Sequence, residues 1–119
     1  MATVASMPLS KIRVAHGLVF LAGDMPFAAD GSVPDGIDAQ TDTVLGRIAA
    51  TLATVGLGLN DVVQVGVQLV NGDDFAAFNI AYARHFTAPY PVRTTIVAGL
   101  VAKGALLEIT VVAAERTAA

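Results

Sequence analysis

The chain has 119 residues, no cysteine, and seven Lys/Arg against ten Asp/Glu, for a net charge of −3 with the histidines neutral. That length suits a single domain spanning residues 1–119 with a core of its own. The missing cysteines exclude a disulfide framework, a thiolate metal site and a thiol nucleophile, and the scattered basic residues give phosphates no track to follow, so no nucleic-acid partner is expected.

Residues 12–22, IRVAHGLVFLA, read as two short strands bent near His16 and Gly17. Residues 24–36, DMPFAADGSVPDG, hold two prolines and two Asp-Gly pairs, which predicts a loop with at most a brief strand. Over 38–55 the period becomes helical, with Val44, Ile48, Leu52 and Val55 on one stripe and Gly56 and Gly58 at its end. Residues 61–70, DVVQVGVQLV, alternate as a strand, with Val63, Val65, Val67 and Leu69 pointing one way and Gln64, Gly66 and Gln68 the other. Residues 73–86 predict a second helix, whose Phe75, Phe78, Tyr82 and Phe86 form a core-facing stripe and whose Asp73 and Asp74 complement the helix dipole. Pro89 and Pro91 close it and introduce two β-branched runs, 93–98 and 105–114.

The predicted order is β-β-(β)-α-β-α-β-β, an α+β domain with a mixed sheet and both helices on one face. Two helices leave the other face bare, yet the chain is 55% hydrophobic and only 14% charged, with a mean hydropathy of +0.66. No membrane partner is expected, because Arg47, Asn60, Asp61, Lys103 and Glu108 break the apolar stretches well short of the ~20 residues a span needs. A secretory signal is not expected either, since Asp24 and Pro26 interrupt the apolar run that starts at Leu18. A cytoplasmic location suits these features. The surplus apolar surface then needs protein cover, and a second copy of the chain is the simplest source.

Two charges stand out within the apolar C-terminal runs, Arg93 and Glu108. If the runs form an antiparallel hairpin closed near Leu100 and Val101, Arg93 lies opposite Glu108, and Thr95 and Thr110 share their face. A slip of one residue puts the charges on opposite faces. The pair reads either as a cross-strand ion pair that sets register, or as a site in which Arg93 grips a carboxylate and Glu108 handles a water. His16 and His85 lack a third ligand at metal spacing, so no metal is expected. Ser10 has no nucleophile-elbow context, and GLGLND follows a helix rather than a strand, the wrong setting for a phosphate loop.

The run from Pro8 and Ser10 through GLVFLAGDMP, DAQTDTVLGRIAATLATVGLGLNDVVQVGVQL, FAAFNIAYARHF, YPVRTTIV and KGALLEITVVAA resembles the Rid (YjgF) family of reactive-intermediate deaminases over nearly the whole chain. The resemblance implies a chorismate-mutase-like (ferredoxin-like) α+β fold assembled as a homotrimer, with a small-molecule cleft at each subunit boundary. It implies hydrolysis of 2-enamine or 2-imino acids to 2-keto acids and ammonia, without cofactor or metal. Carried over by motif, Arg93 matches the arginine that grips the substrate carboxylate, Glu108 the glutamate associated with the attacking water, and Asn79 an asparagine near the site. Gly23 and Thr95 match positions whose backbone N–H groups line the pocket. The chain departs from the family at three places. Leu9 stands where a tyrosine is common, Ala22 where a serine is common, and Thr95 where a cysteine is common. The first two losses remove hydroxyls from the cleft and leave a binding module without chemistry as the alternative to an enzyme. Endoribonuclease or translation-inhibitor activity, known for some relatives, suits the acidic charge balance poorly, and a chorismate mutase would need more cations than one strand arginine.

Overall fold

In the computed structural model, which describes residues 7–116, the first two strands are β1 (Ile12–Ala15) and β2 (Leu18–Leu21), paired antiparallel with Ala15 opposite Leu18. Between them His16 and Gly17 adopt φ values of 53° and 77°. A two-residue turn with both φ positive has the twist that matches the strands it joins, and Gly17 takes that conformation at no steric cost. The brief strand expected in the following loop is a single bridge, in which Asp24 N–H donates to the Ile109 carbonyl at 2.8 Å and Ile109 N–H to the Asp24 carbonyl at 3.0 Å.

Helix α1 (Ile37–Ala53) buries Ile37, Val44, Leu45, Ile48 and Leu52, at the spacing of one helical face. It ends where Gly56 takes φ 76° and Leu57 N–H turns back to the Leu52 carbonyl at 3.0 Å, capping the last turn. A 3-10 turn, Leu59–Asp61, leads into β3 (Val62–Leu69). A second 3-10 turn, Gly72–Asp74, opens α2 (Phe75–Ala83), with the Asn71 side chain accepting from Asp73 N–H at 2.9 Å. Strands β4 (Val92–Val97) and β5 (Leu107–Ala114) complete the chain.

The fold is α+β, one five-stranded mixed sheet in the order β1-β2-β5-β3-β4 with both helices packed into a common core. Val65, Val67 and Leu69 of β3, Leu107, Ile109 and Val111 of β5, and Val44, Leu45, Ile48, Leu52 and Phe78 of the helices are all at most 1% exposed. Burial of each such side chain contributes about 1.5–3 kcal/mol.

Two sequence expectations change. The hairpin between 93–98 and 105–114 does not form. Instead β3 lies between the two strands, pairing parallel with β4 and antiparallel with β5. Strand β4 returns through the α2 crossover to the edge of the sheet, whereas β5, apolar at most positions, takes the inner place between β2 and β3. Val63 also leaves the stripe assigned to it. A register shift against β5 between Val62 and Gln64 turns Val62 inward at 5% exposure and leaves Val63 outward at 44%.

Candidate functional site

Arg93 pairs in register with Val65, a core-facing residue of β3, so its side chain lies on the helix-covered face. There α2 presents Phe75, Phe78, Asn79 and Tyr82, which the helical period places on one side. The Arg93 guanidinium donates from Nη2 to Asn79 Oδ1 at 2.7 Å. Its central carbon lies 4.7 Å from the Tyr82 ring centroid, 5.2 Å from that of Phe78 and 5.8 Å from that of Phe75. Flat stacking on aromatic faces suits a guanidinium far better than an ammonium. Among the described residues the buried Tyr82 hydroxyl has no hydrogen-bond partner, and burial raises its phenol above the ordinary value while the Arg93 charge pulls the other way. Thr95 shares the Arg93 face, and both line an open cleft of about 460 Å³ with Leu69, Phe75 and Val97 among its walls.

Glu108 lies elsewhere. It pairs with Gln68, whose side chain has the opposite parity to Val65, so Glu108 belongs to the face that the helices leave bare. Gly23 stands directly against it. A Cβ there would collide with the Glu108 carboxylate and come within 3.0 Å of Thr110 Oγ1. The Gly23 segment is held by the Asp24–Ile109 bridge and by Arg47 of α1, which donates from Nε to Asp24 Oδ1 at 2.9 Å and from Nη1 to the Phe27 carbonyl at 3.1 Å.

The residues singled out from sequence therefore form two groups, Arg93 with Asn79 and Thr95, and Glu108 with Gly23. Ala22 adjoins the second group in sequence, its N–H bound to the Lys11 carbonyl at 3.1 Å. Leu9 is 58% exposed near the N-terminus. Among the described residues Arg93 makes no ion pair with Glu108, so the cross-strand pair expected from a hairpin is absent within one chain.

A family model described as Endoribonuclease L-PSP matches residues 2–115. The chain belongs to the Rid (YjgF) family. It is 35% identical over 111 residues to the mitochondrial protein mmf2 of Schizosaccharomyces pombe, covering 91% of this chain and 88% of that protein. It is 36% identical over 108 residues to a RutC family protein of Pyrococcus horikoshii, covering 89% and 86%. The solved structure of RidA from an Antarctic Psychrobacter superposes with a TM-score of 0.86 at 28% identity, covering 95% of this chain and 93% of that one.

Two features of this Rid-family chain escaped sequence reasoning. Gln40 is 2% exposed and fully bonded, its Nε2 donating to the Pro34 and Gly104 carbonyls at 2.8 and 3.2 Å and its Oε1 accepting from Leu106 N–H at 2.8 Å. It ties α1 to the loop before Glu108, and its position on the apolar stripe between Ile37 and Val44 was the available signal. Phe75 was assigned to the core with the other aromatics of α2. It is 44% exposed, at the wall of the Arg93 cleft.

No helix among the described residues is long and apolar enough to cross a membrane. No group of three or more His, Asp or Glu residues among them is placed to hold a metal ion.

Proposed function

We propose that the protein hydrolyses small 2-enamine or 2-imino acids to 2-keto acids and ammonia, in sites shared between copies of the chain within a homotrimer. The observation that carries this reading is the Arg93 cradle. One donor is tied back to Asn79 and the guanidinium carbon lies within 6 Å of three aromatic ring centroids, which leaves further donors for a carboxylate at the cleft. Because Arg93 and Glu108 occupy opposite faces of one sheet, a substrate held by Arg93 meets the Glu108 of a neighbouring copy whose bare face adjoins the edge strand β4, where the Arg93 cleft opens.

In this scheme the imine carbon is bonded directly to the carboxylate that Arg93 holds, so gripping the carboxylate orients the reacting carbon and converts the encounter with water into an oriented, intramolecular-like step. Glu108 takes a proton from the attacking water as the new C–O bond forms at C2, and the imine nitrogen is protonated. In the resulting carbinolamine the hydroxyl proton passes through Glu108 to the amine nitrogen, and the C–N bond breaks to leave the 2-keto acid and ammonia. An enamine enters the same route after protonation at C3. Gly23 and Thr95 border the reacting groups, and no step calls for a cofactor or metal. Membership of the Rid family supports the reading, as does the likeness to a RidA structure.

Leu9 and Ala22 favour a second reading, a module that binds a carboxylate metabolite without turnover, since neither supplies a hydroxyl to polarise water. Release of ammonia and keto acid from freshly generated imino acids decides between the two. We expect turnover in the native protein and at least a hundredfold loss in Arg93→Ala and in Glu108→Gln. Co-assembly of those two variants should regain activity at roughly a quarter of the native sites, the fraction that random mixing in a cyclic oligomer gives to sites built from two chains. No turnover in the native protein would leave the binding reading. Turnover without recovery on mixing would place both groups in one chain, against the fold.

A further inference from the structure

On the bare face of the sheet, the side-chain oxygen Oε1 of Gln68 is buried and, among the described residues, has no hydrogen-bond partner. Its burial comes from residues of its own chain, so a neighbouring copy docking on that face has no path to it. The donor it lacks has to come from a group already beside it. A buried acceptor left without a donor is costly, and one kept in a folded chain points to a state in which it is satisfied.

The register supplies the neighbour. Gln68 stands directly opposite Glu108 across the β3–β5 ladder, with Ile96 of β4 on its other side. Side chains directly opposed on adjacent strands share a face, with Cβ atoms about 4.5–5.5 Å apart. Thr94 and Thr110 line a small cleft together with Gln68, yet neither hydroxyl bonds its amide oxygen. On the side away from Gln68 the Glu108 carboxylate rests against Gly23. No charged residue of β3 or β4 shares the Gln68 face, and the cations that do, Arg13 on β1 and Lys11 just before it, lie beyond β2.

An ionised carboxylate has only acceptors and can give Gln68 Oε1 nothing, whereas a protonated one has an O–H to donate. The amide oxygen is therefore unsatisfied while Glu108 is charged and satisfied once Glu108 holds a proton. Glu108 enters that state when it takes a proton from the attacking water, and leaves it when the proton passes to the amine nitrogen of the carbinolamine. We infer that Gln68 is a positioning residue for Glu108, its amide oxygen accepting a hydrogen bond from the protonated carboxyl and so favouring the proton-bearing half of the cycle. The inference rests on the base role of Glu108 proposed above and adds the group through which the same chain supports it.

Two substitutions and their combination test it. Gln68→Met keeps the length of the side chain and removes the amide. It is expected to lower kcat for imine hydrolysis at least tenfold, with the affinity for a 2-oxo acid within threefold of native and the assembly intact by light scattering. Glu108→Gln supplies a permanent N–H opposite Gln68, so it should raise the urea midpoint by about 0.5 M at a fixed protein concentration, a rise that vanishes in the Gln68→Met background. In that double variant the residual rate should lie within threefold of Glu108→Gln alone, because the two side chains act as one unit. A kcat within threefold of native in Gln68→Met overturns the inference alone, as does an equal loss in both backgrounds or a midpoint that Glu108→Gln leaves unchanged. If Gln68→Met dissociates the assembly, Gln68→Leu repeats the measurement, and dissociation in both makes the amide an assembly contact and overturns the inference. If the native protein has no turnover, or Glu108→Gln retains it, the base role itself is wrong and the inference falls with it.

Discussion

Gly23 occupies a position where a side chain does not fit, although the obstacle is the mobile end of another side chain rather than backbone. The first atoms a methyl group would meet belong to the Glu108 carboxylate, followed by Thr110 Oγ1. A carboxylate can swing aside at small cost, so Gly23→Ala should leave the fold intact, with a loss below about 1 kcal/mol in urea unfolding. Activity should respond differently. Displacing a general base by an ångström can cost on the order of a hundredfold, so kcat for imine hydrolysis should fall at least tenfold while the affinity for a 2-oxo acid on Arg93 changes little. An unchanged kcat would remove Glu108 from the reaction as proposed.

At the scale of elements, two polar devices hold the helices and loops that frame the site. Gln40 binds three backbone groups from two loops, and truncation would leave those groups without partners. We expect Gln40→Ala to lower stability by about 2–4 kcal/mol, read from urea midpoints at a fixed protein concentration. The second device joins α1 to the end of α2 on the outer surface. Asp42 accepts from Arg84 at 3.1 Å and contacts His85 Nε2 at 2.6 Å, while Arg84 also reaches Asp38 at 2.8 Å. The His85 hydrogen bond, helped by Arg84 against the effect of burial, holds the Asp42 carboxyl below its ordinary value. A depressed carboxylate contributes stability that is fully present above its unfolded value of ~3.9 and is lost as pH falls through the lower folded value. Thermal melts between pH 6 and 2 should therefore show a smaller acid-side decline in Asp42→Asn than in the native protein. At neutral pH the substitution should cost little, because the Asp42 side chain is 44% exposed and the pair is screened. Equal acid slopes in the two proteins would show that this contact contributes nothing.

The whole molecule presents one sheet face without helices. Phe20 is 42% exposed there, opposite Val112 in register, and the amide oxygen of Gln68 is buried with no partner among the described residues. Near it, Gly66, Gln68, Thr94 and Thr110 line a shallow cleft of about 110 Å³. A face that combines apolar side chains with such a cleft is suited to a protein partner, and a second and third copy are the occupants we propose. Light scattering during size exclusion should report a particle of three 12.1 kDa chains at micromolar concentration. A monomer under those conditions would overturn both the trimer and a site shared between chains.

The elements themselves were legible in the sequence, because each is set by a local period or a local turn. The β3 alternation, the α1 stripe from Val44 to Leu52 and the His16–Gly17 bend all reappear in the structure within a few residues of where they were read. The family motif likewise brought Arg93, Asn79, Thr95, Gly23 and Glu108 to notice one by one. Their grouping was not legible. Proximity along the chain suggested that β4 and β5 pair, but pairing depends on which strand needs the most cover, and β3 came between them. That insertion puts Arg93 beneath α2 and Glu108 on the bare face. The same limit applies to Val63, moved by one extra residue in β3, and to Phe75, left half-exposed at the end of its stripe. A side-chain period is a property of a few consecutive residues. Strand order, register and the face a residue finally occupies follow from contacts between segments far apart in the chain, which only the folded structure decides.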